Sequence, residues 1–355
     1  MITPASAIWA CKASIERRQP KLPEATSKAL SLTPKKENNM TTDRLSPLSA
    51  GSLRVAVLQI APVFLDAWAT WEKLKSMGAK AVSDGAEVLM WGESLIPGYP
   101  NWISMDSSEE QEAAYALYWD QAVTLDDPLV ADIKAFAKKH KVMIIGGVAE
   151  RVSGSIYATA ITIDASGELV GRHRKLKPTW RERLVWADGD GLGLRTHATK
   201  IGRIGSLNCW ENWLPLARAA LHQQDEFIHV GLWPGSDHLV TDITRFIALE
   251  AKSWSIAACG LLRSSDMAHL SEEQFPIRER VLAHKDTWQN GASQIVAPNG
   301  DVVAGPLLDE EGIVAADLDA KSVVAGRQLR DPSGHYSRPD VLELSIHGPN
   351  SGRQS

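Results

Sequence analysis

From Leu53 onward, short apolar, β-branched runs alternate with longer stretches whose apolar positions recur every three or four residues. RVAVLQI (54–60) predicts a strand, and AWATWEKLKSMGAKAVSDG the helix that follows it, stopping at Gly85. EVLMWGE (87–93) is continuously apolar before its last residue and predicts a second, buried strand with Glu93 at its end. Beyond the loop IPGYPNW come helical stretches at roughly 109–122 and 127–140, then the strand KVMIIGGVAE. YATAITID and ELVGRHRK predict two strands joined at Ala165, Ser166 and Gly167, because Asp-Ala-Ser-Gly is turn chemistry; Lys175 then falls where the second strand ends. RIGSLNCW (203–210) predicts another buried strand and ENWLPLARAALHQQ a helix, so that Cys209 sits at a strand-to-helix junction. FIHVGLW and SIAACGLL continue the pattern, separated by a helix around ITRFIALEAKSW. SQIVAP, the Asn299-Gly300 turn, DVVAGPLL and GIVAADLD read as closely spaced strands of antiparallel hairpin type. The alternation is that of a layered α/β protein, and the hairpins make its sheets mixed.

Residues 1–50 are of different material, rich in Ser, Thr, Pro, Lys and Glu without apolar periodicity, and predict a disordered N-terminal extension. Glu16, Glu24 and Glu37 argue against an organelle transit peptide, and Met40 offers an alternative start. The folded domain is expected over 51–328. From 329 to 355 the chain carries Pro332, Gly334, Pro339 and Pro349 and reads as an extended arm suited to packing on a neighbour. A net charge of -5 gives no pull toward nucleic acid or anionic membranes, and no run of residues is apolar for long enough to span a bilayer. Three cysteines (Cys11, Cys209, Cys259) form neither a disulfide framework nor a metal-binding pattern, so a reducing, cytoplasmic location is expected.

Three predicted strand ends deliver Glu93, Lys175 and Cys209, and in layered α/β proteins functional groups gather where strands end and loops begin. A cysteine that opens a helix beside Lys175 is expected to be substantially thiolate at neutral pH and able to attack an electrophilic carbon. Taken alone, a cysteine in a strand is more often a buried structural thiol, the reading given to Cys259. Glu93, after LMWG, needs a cationic partner. It is either half of a salt bridge with a lysine or a general base for the thiol and for water, and spacing does not decide between these.

HRKLKPT (173–179), RERLVW (181–186), GDGLGLR (189–195) and CWENWLPLAR (209–218), in that order, are similar to the central signature of nitrilases. ESLIPGYP (93–100) resembles the family's first motif, and GPLLDEEGIVAADLD with DPSGHYSRPDV its C-terminal region, so the likeness runs from about Leu53 to Leu344. The resemblance implies a four-layer α-β-β-α sandwich of mixed sheets, and homo-oligomers that stack helices across a dimer interface and extend to spirals. It implies Glu93 as catalytic glutamate, Lys175 as catalytic lysine, Cys209 as nucleophile and Glu182 as a second glutamate orienting the lysine, with Lys177 left to structure or pocket. Trp186 and Trp210 are implied pocket walls, while Trp233 is as readily core. The implied reaction takes a nitrile and water to a carboxylic acid and ammonia without metal or organic cofactor. The rivals are an amidase or carbamoyl-hydrolase of the same superfamily, a non-catalytic binding protein on the same fold and, more remotely, a papain-like thiol protease.

Overall fold

A computed structural model describes residues 46–105 and 108–348, all within one compact unit, Leu45–Ser355. The extension expected to be disordered therefore lies almost wholly outside the described residues. Thirteen strands are described: β1 Ser52–Gln59, β2 Val88–Met90, β3 Met143–Val152, β4 Ser155–Ile163, β5 Leu169–Arg174, β6 His197–Thr199, β7 Gly202–Asn208, β8 Glu226–Trp233, β9 Trp254–Cys259, β10 Leu261–Arg263, β11 Thr287–Val296, β12 Val302–Leu308 and β13 Gly312–Asp319. Among them run α1 Ala67–Ser83, α2 Ser108–Gln121, α3 Pro128–His140, α4 Pro215–His222, α5 Asp237–Ala251, α6 Arg278–His284 and α7 Ala320–Arg327.

The strands form two mixed sheets, ordered β13-β1-β2-β3-β4-β5 and β10-β11-β9-β8-β7-β6, with β12 added on β11. β1, β2 and β3 run parallel, as do β7, β8 and β9. The period-2 alternation of a strand explains why these segments read as unbroken apolar runs: both faces are covered. On β1, Ala56 and Leu58 face Trp71 and Leu74 of α1 with Ile133 and Phe136 of α3, whereas Val55 and Val57 face inward toward Ile204, Ile228, Val230 and Ile256 of the second sheet. Val240, Ile243 and Ile247 of α5 cover the outer side of β9, and Ala217, Ala220 and Leu221 of α4 cover Leu207 of β7. The expected four-layer order, helix, sheet, sheet, helix, is thus complete within one chain.

Two expectations are corrected. β12 and β13 are not a hairpin: β12 pairs with β11, while β13 crosses to the other sheet and pairs antiparallel with β1. Gln59 of β1 fastens this crossing by donating to the carbonyls of Leu307 and Glu310. The helix expected over 211–224 is split into a 3-10 turn at Cys209–Trp213 and α4, because Pro215 opens α4 and forces the residue before it, Leu214, to an extended ψ of 110°. The C-terminal arm, as far as residue 348, lies partly on its own chain, with Leu344 and Ile346 packed beside Leu176, Leu194 and Leu207 and the Gly191 N–H donating to the His347 carbonyl.

Candidate active site

β2 stops at Met90, and the chain then passes between the two sheets through a gap that only glycine fits. A Cβ on Gly92 would stand 2.4 Å from the Trp233 carbonyl oxygen, and one on Gly147 of β3 would stand 2.6 Å from the Cα of Glu93. The Glu93 N–H donates to that same Trp233 carbonyl at 3.2 Å, and Ser94 follows at a φ of 40°. Glu93 is thereby held at one point between the sheets.

Lys175 directly follows β5, its N–H donating to the Ala158 carbonyl at 2.8 Å. Its own carbonyl accepts from Gly189 at 2.8 Å, so the GDG loop clasps the end of the HRK strand. Glu182 comes from the 3-10 turn Trp180–Leu184, where it closes a capping box with Thr179. Cys209 opens the turn after β7 with a φ of 48°, a left-handed conformation that costs a residue bearing a Cβ about 1–3 kcal/mol and aims its side chain away from the strand direction.

These four side chains converge. Lys175 Nζ lies 3.0 Å from Glu93 Oε1 and donates to Glu182 Oε2 at 2.7 Å. A carboxylate oxygen of Glu93, one of Glu182 and the Cys209 sulfur all lie within 4.8 Å of one another. All four residues are buried. Glu182 also accepts from the Tyr99 hydroxyl at 2.8 Å, whereas among the described residues the Glu93 carboxyl has the Lys175 ammonium as its partner. A carboxylate and a thiolate in this arrangement could in principle hold a cation, but the cationic position is filled by the Lys175 ammonium itself.

Burial pushes the Glu93 carboxyl up to about 8; Lys175 opposes this, and the negative charges of Glu182 and Glu211 add to it. The Cys209 thiol is raised well above its ordinary value, first by burial, with Lys175 pulling back and both glutamates pushing further. Lys175 is drawn down by burial, yet the surrounding Cys209, Glu93 and Glu182 outweigh that and hold the ammonium well above its usual range. Burial first, and then the neighbouring glutamates, oppose the expected resting thiolate, so that an adjacent base is needed to take the thiol proton during attack.

Of the aromatic residues singled out, Trp186 is buried beside the cluster, with Lys175 Nζ 5.5 Å from its ring and Tyr99 edge-on at 5.6 Å. Trp210 is 42% exposed and lies against Trp213, with ring centroids 5.9 Å apart. Trp233 is fully buried in the core beside Cys209, and its link to Glu93 is through the backbone. Lys177 pairs with Asp188 at the surface.

Sequence reasoning missed Tyr99, which lay inside a quoted motif, and Glu211. Glu211 accepts from the Asn208 N–H at 2.9 Å and from the Leu176 N–H, and it pairs with His173 Nε2 at 2.9 Å, tying the nucleophile turn to the lysine strand. Its signal was legible: Asn208-x-x-Glu211 has capping-box spacing at the end of a buried strand.

The family model for carbon-nitrogen hydrolases matches residues 54–328. An aliphatic nitrilase of Rhodococcus rhodochrous is 35% identical over 309 residues, 83% of each chain. A bifunctional nitrilase/nitrile hydratase of Lupinus angustifolius is 33% identical, covering 87% of this chain and 89% of its own. Among solved structures, Saccharomyces cerevisiae Nit3, a member of branch 10 of the nitrilase superfamily, superposes with a TM-score of 0.63 at 19% identity, over 82% of this chain and 98% of that one. At that identity the likeness concerns the fold.

Proposed function

Because the chain belongs to the carbon-nitrogen hydrolase family and is thus a hydrolase of carbon–nitrogen bonds, we propose that it converts a nitrile to the carboxylic acid and ammonia through a covalent bond to Cys209. The observation that carries this reading is the buried Glu93 carboxyl, near a thiol and ion-paired at 3.0 Å with the Lys175 ammonium.

In this reading Glu93 takes the Cys209 proton as sulfur adds to the nitrile carbon, and the proton passes to the nitrile nitrogen, giving a thioimidate. Lys175, with a backbone N–H of the turn opened by Cys209, stabilises the charge developing on that nitrogen. Glu93 then deprotonates a water that adds to the same carbon. Collapse expels ammonia and leaves a thioester, and a second activated water releases the acid and restores the thiol. Glu182 orients Lys175, and Trp186 walls the substrate beside it. Nitrilase-named relatives at 33–35% identity favour a nitrile over an amide as substrate.

Ammonia release from a panel of nitriles and their matching amides tests the reading: nitriles are expected to be the faster substrates, and amides turning over faster would make the chain an amidase. The pH profile tests the base. A carboxyl near 8 acts as a base only when ionised, so kcat/KM is expected to rise about tenfold per pH unit below 8 and to level above it. Lys175 stays an ammonium beyond that range, so no fall is expected just above the plateau. A flat profile from about pH 6 to 9 would remove Glu93 from the role. Homo-oligomer assembly belongs to the same reading, supported by exposed Leu216 of α4 and Phe246 of α5, with Trp213 on the turn before α4.

A further inference from the structure

Behind Cys209, on the side away from Glu93 and Lys175 in the chain of contacts, runs a closed circuit of polar groups that the proposed chemistry does not use. Asn212 Nδ2 donates to the Cys209 carbonyl at 2.8 Å. Asn212 Oδ1 meets His229 Nε2 at 2.8 Å, and His229 Nδ1 meets Glu226 Oε1 at 3.0 Å. Glu226 Oε2 meets His222 Nδ1 at 2.8 Å, and His222 Nε2 approaches Glu250 at 3.6 Å. Arg218 pairs with Glu250 at 2.6 Å and returns to the Asn212 carbonyl at 2.9 Å. Asn212, His229 and Glu226 are all fully buried, and His229 stands in the middle of β8, a strand apolar apart from Glu226 at its start.

The orientation of this circuit follows from donor and acceptor chemistry. Asn212 Nδ2 faces only carbonyl oxygens, those of Cys209 and Leu207, so its amide cannot be flipped and Oδ1 must be the group facing His229. An amide oxygen only accepts; His229 Nε2 therefore donates to it. His229 thus fixes the Asn212 side chain, which in turn holds the carbonyl of a residue whose φ is 48°. Stability alone does not explain the arrangement, because well-packed apolar residues commonly replace buried ion pairs at no loss. A left-handed nucleophile turn, by contrast, persists only where its surroundings over-determine it.

We propose that His229 is a positioning residue that, through Asn212, holds the Cys209 turn in the conformation that presents the sulfur for attack. The inference rests on Cys209 being the nucleophile. Two isosteric truncations separate positioning from a role confined to hydrogen-bonding Glu226. Glutamine carries its amide nitrogen about as far from the backbone as Nε2, so His229→Gln keeps a donor toward Asn212 and gives up Glu226. Asparagine reaches about as far as Nδ1, so His229→Asn keeps the Glu226 contact and gives up Asn212.

Positioning predicts that His229→Asn loses kcat on the order of tenfold to a hundredfold with KM unchanged, while His229→Gln stays close to the parent. The rate at which iodoacetamide alkylates Cys209 is expected to follow the same order, a readout independent of nitrile turnover. A role confined to hydrogen-bonding Glu226 predicts the reverse order, and equal kcat in the two variants would equally overturn the proposal. Should neither variant fold, Asn212→Asp tests the same link, since it keeps an acceptor toward His229 but loses the donor to the Cys209 carbonyl. Folded Asn212→Asp with full kcat would refute the inference. Activity surviving in Cys209→Ala would refute instead the reading on which it rests.

Discussion

Cys209→Ala is expected to remove nitrile hydrolysis by a factor on the order of 10⁴ or more while leaving the fold intact. No second group replaces the sulfur: Glu93 can take a proton but has no thiol from which to take it, and Cys259, the other described cysteine, is buried in the core with its thiol pushed up by burial. The expectation for stability follows from the backbone. Alanine carries the same Cβ as cysteine into the left-handed conformation at φ 48°, so the substitution adds no conformational penalty, and the space vacated is that of one sulfur atom. The checks are ammonia release and thermal unfolding measured on the same preparation. Unchanged ammonia release would end the nucleophile assignment.

Lys175→Met is expected to damage both activity and stability. Lys175 is fully buried and is the ammonium shared by Glu93 and Glu182, at 3.0 and 2.7 Å. Methionine fills much of the space but leaves two buried carboxylates without a cation, and breaking a buried pair in this way typically costs about 3–5 kcal/mol. Part of that cost is recovered if a carboxyl takes up a proton. The Glu93 carboxyl, already raised to about 8 against the pull of Lys175, then rises further, and the fraction ionised and able to act as a base falls. Removal of the charge opposite the developing negative nitrogen adds a loss on the order of 10²–10³ in kcat. Thermal unfolding and steady-state kinetics check the two halves separately, and a Lys175→Met protein that matched the parent in both would contradict the account.

Much of this was legible before any coordinates. The three strand ends carrying Glu93, Lys175 and Cys209 are where apolar runs stop and polar residues begin, and one face-to-face pair of sheets brings them together. The resemblance to nitrilases implied both the pairing of Glu182 with the lysine and the four-layer order, whereas the apolar pattern alone gave a layered α/β protein with mixed sheets. What was not legible depended on contacts between distant segments. Pro215 signals where α4 begins, but the turn before it was hidden inside a helical pattern. Nothing in GIVAADLD distinguishes pairing with β12 from pairing with β1. The upward push on the Cys209 thiol was missed because proximity to an ammonium was weighed without the burial and the glutamates that oppose it. His229 passed unnoticed because nothing within β8 signals Asn212, the partner it meets from another element.

The central claim is that Cys209 Sγ becomes covalently bonded to substrate carbon while Glu93, Lys175 and Glu182 surround it. Acid quenching during steady-state turnover of a nitrile, followed by proteolysis and peptide mass analysis, tests this most directly. The account predicts an acyl group on the peptide containing Cys209 and an unmodified peptide containing Cys259. Rapid turnover with Cys209 unmodified at every quench time, or with the acyl group on Cys259, would contradict it.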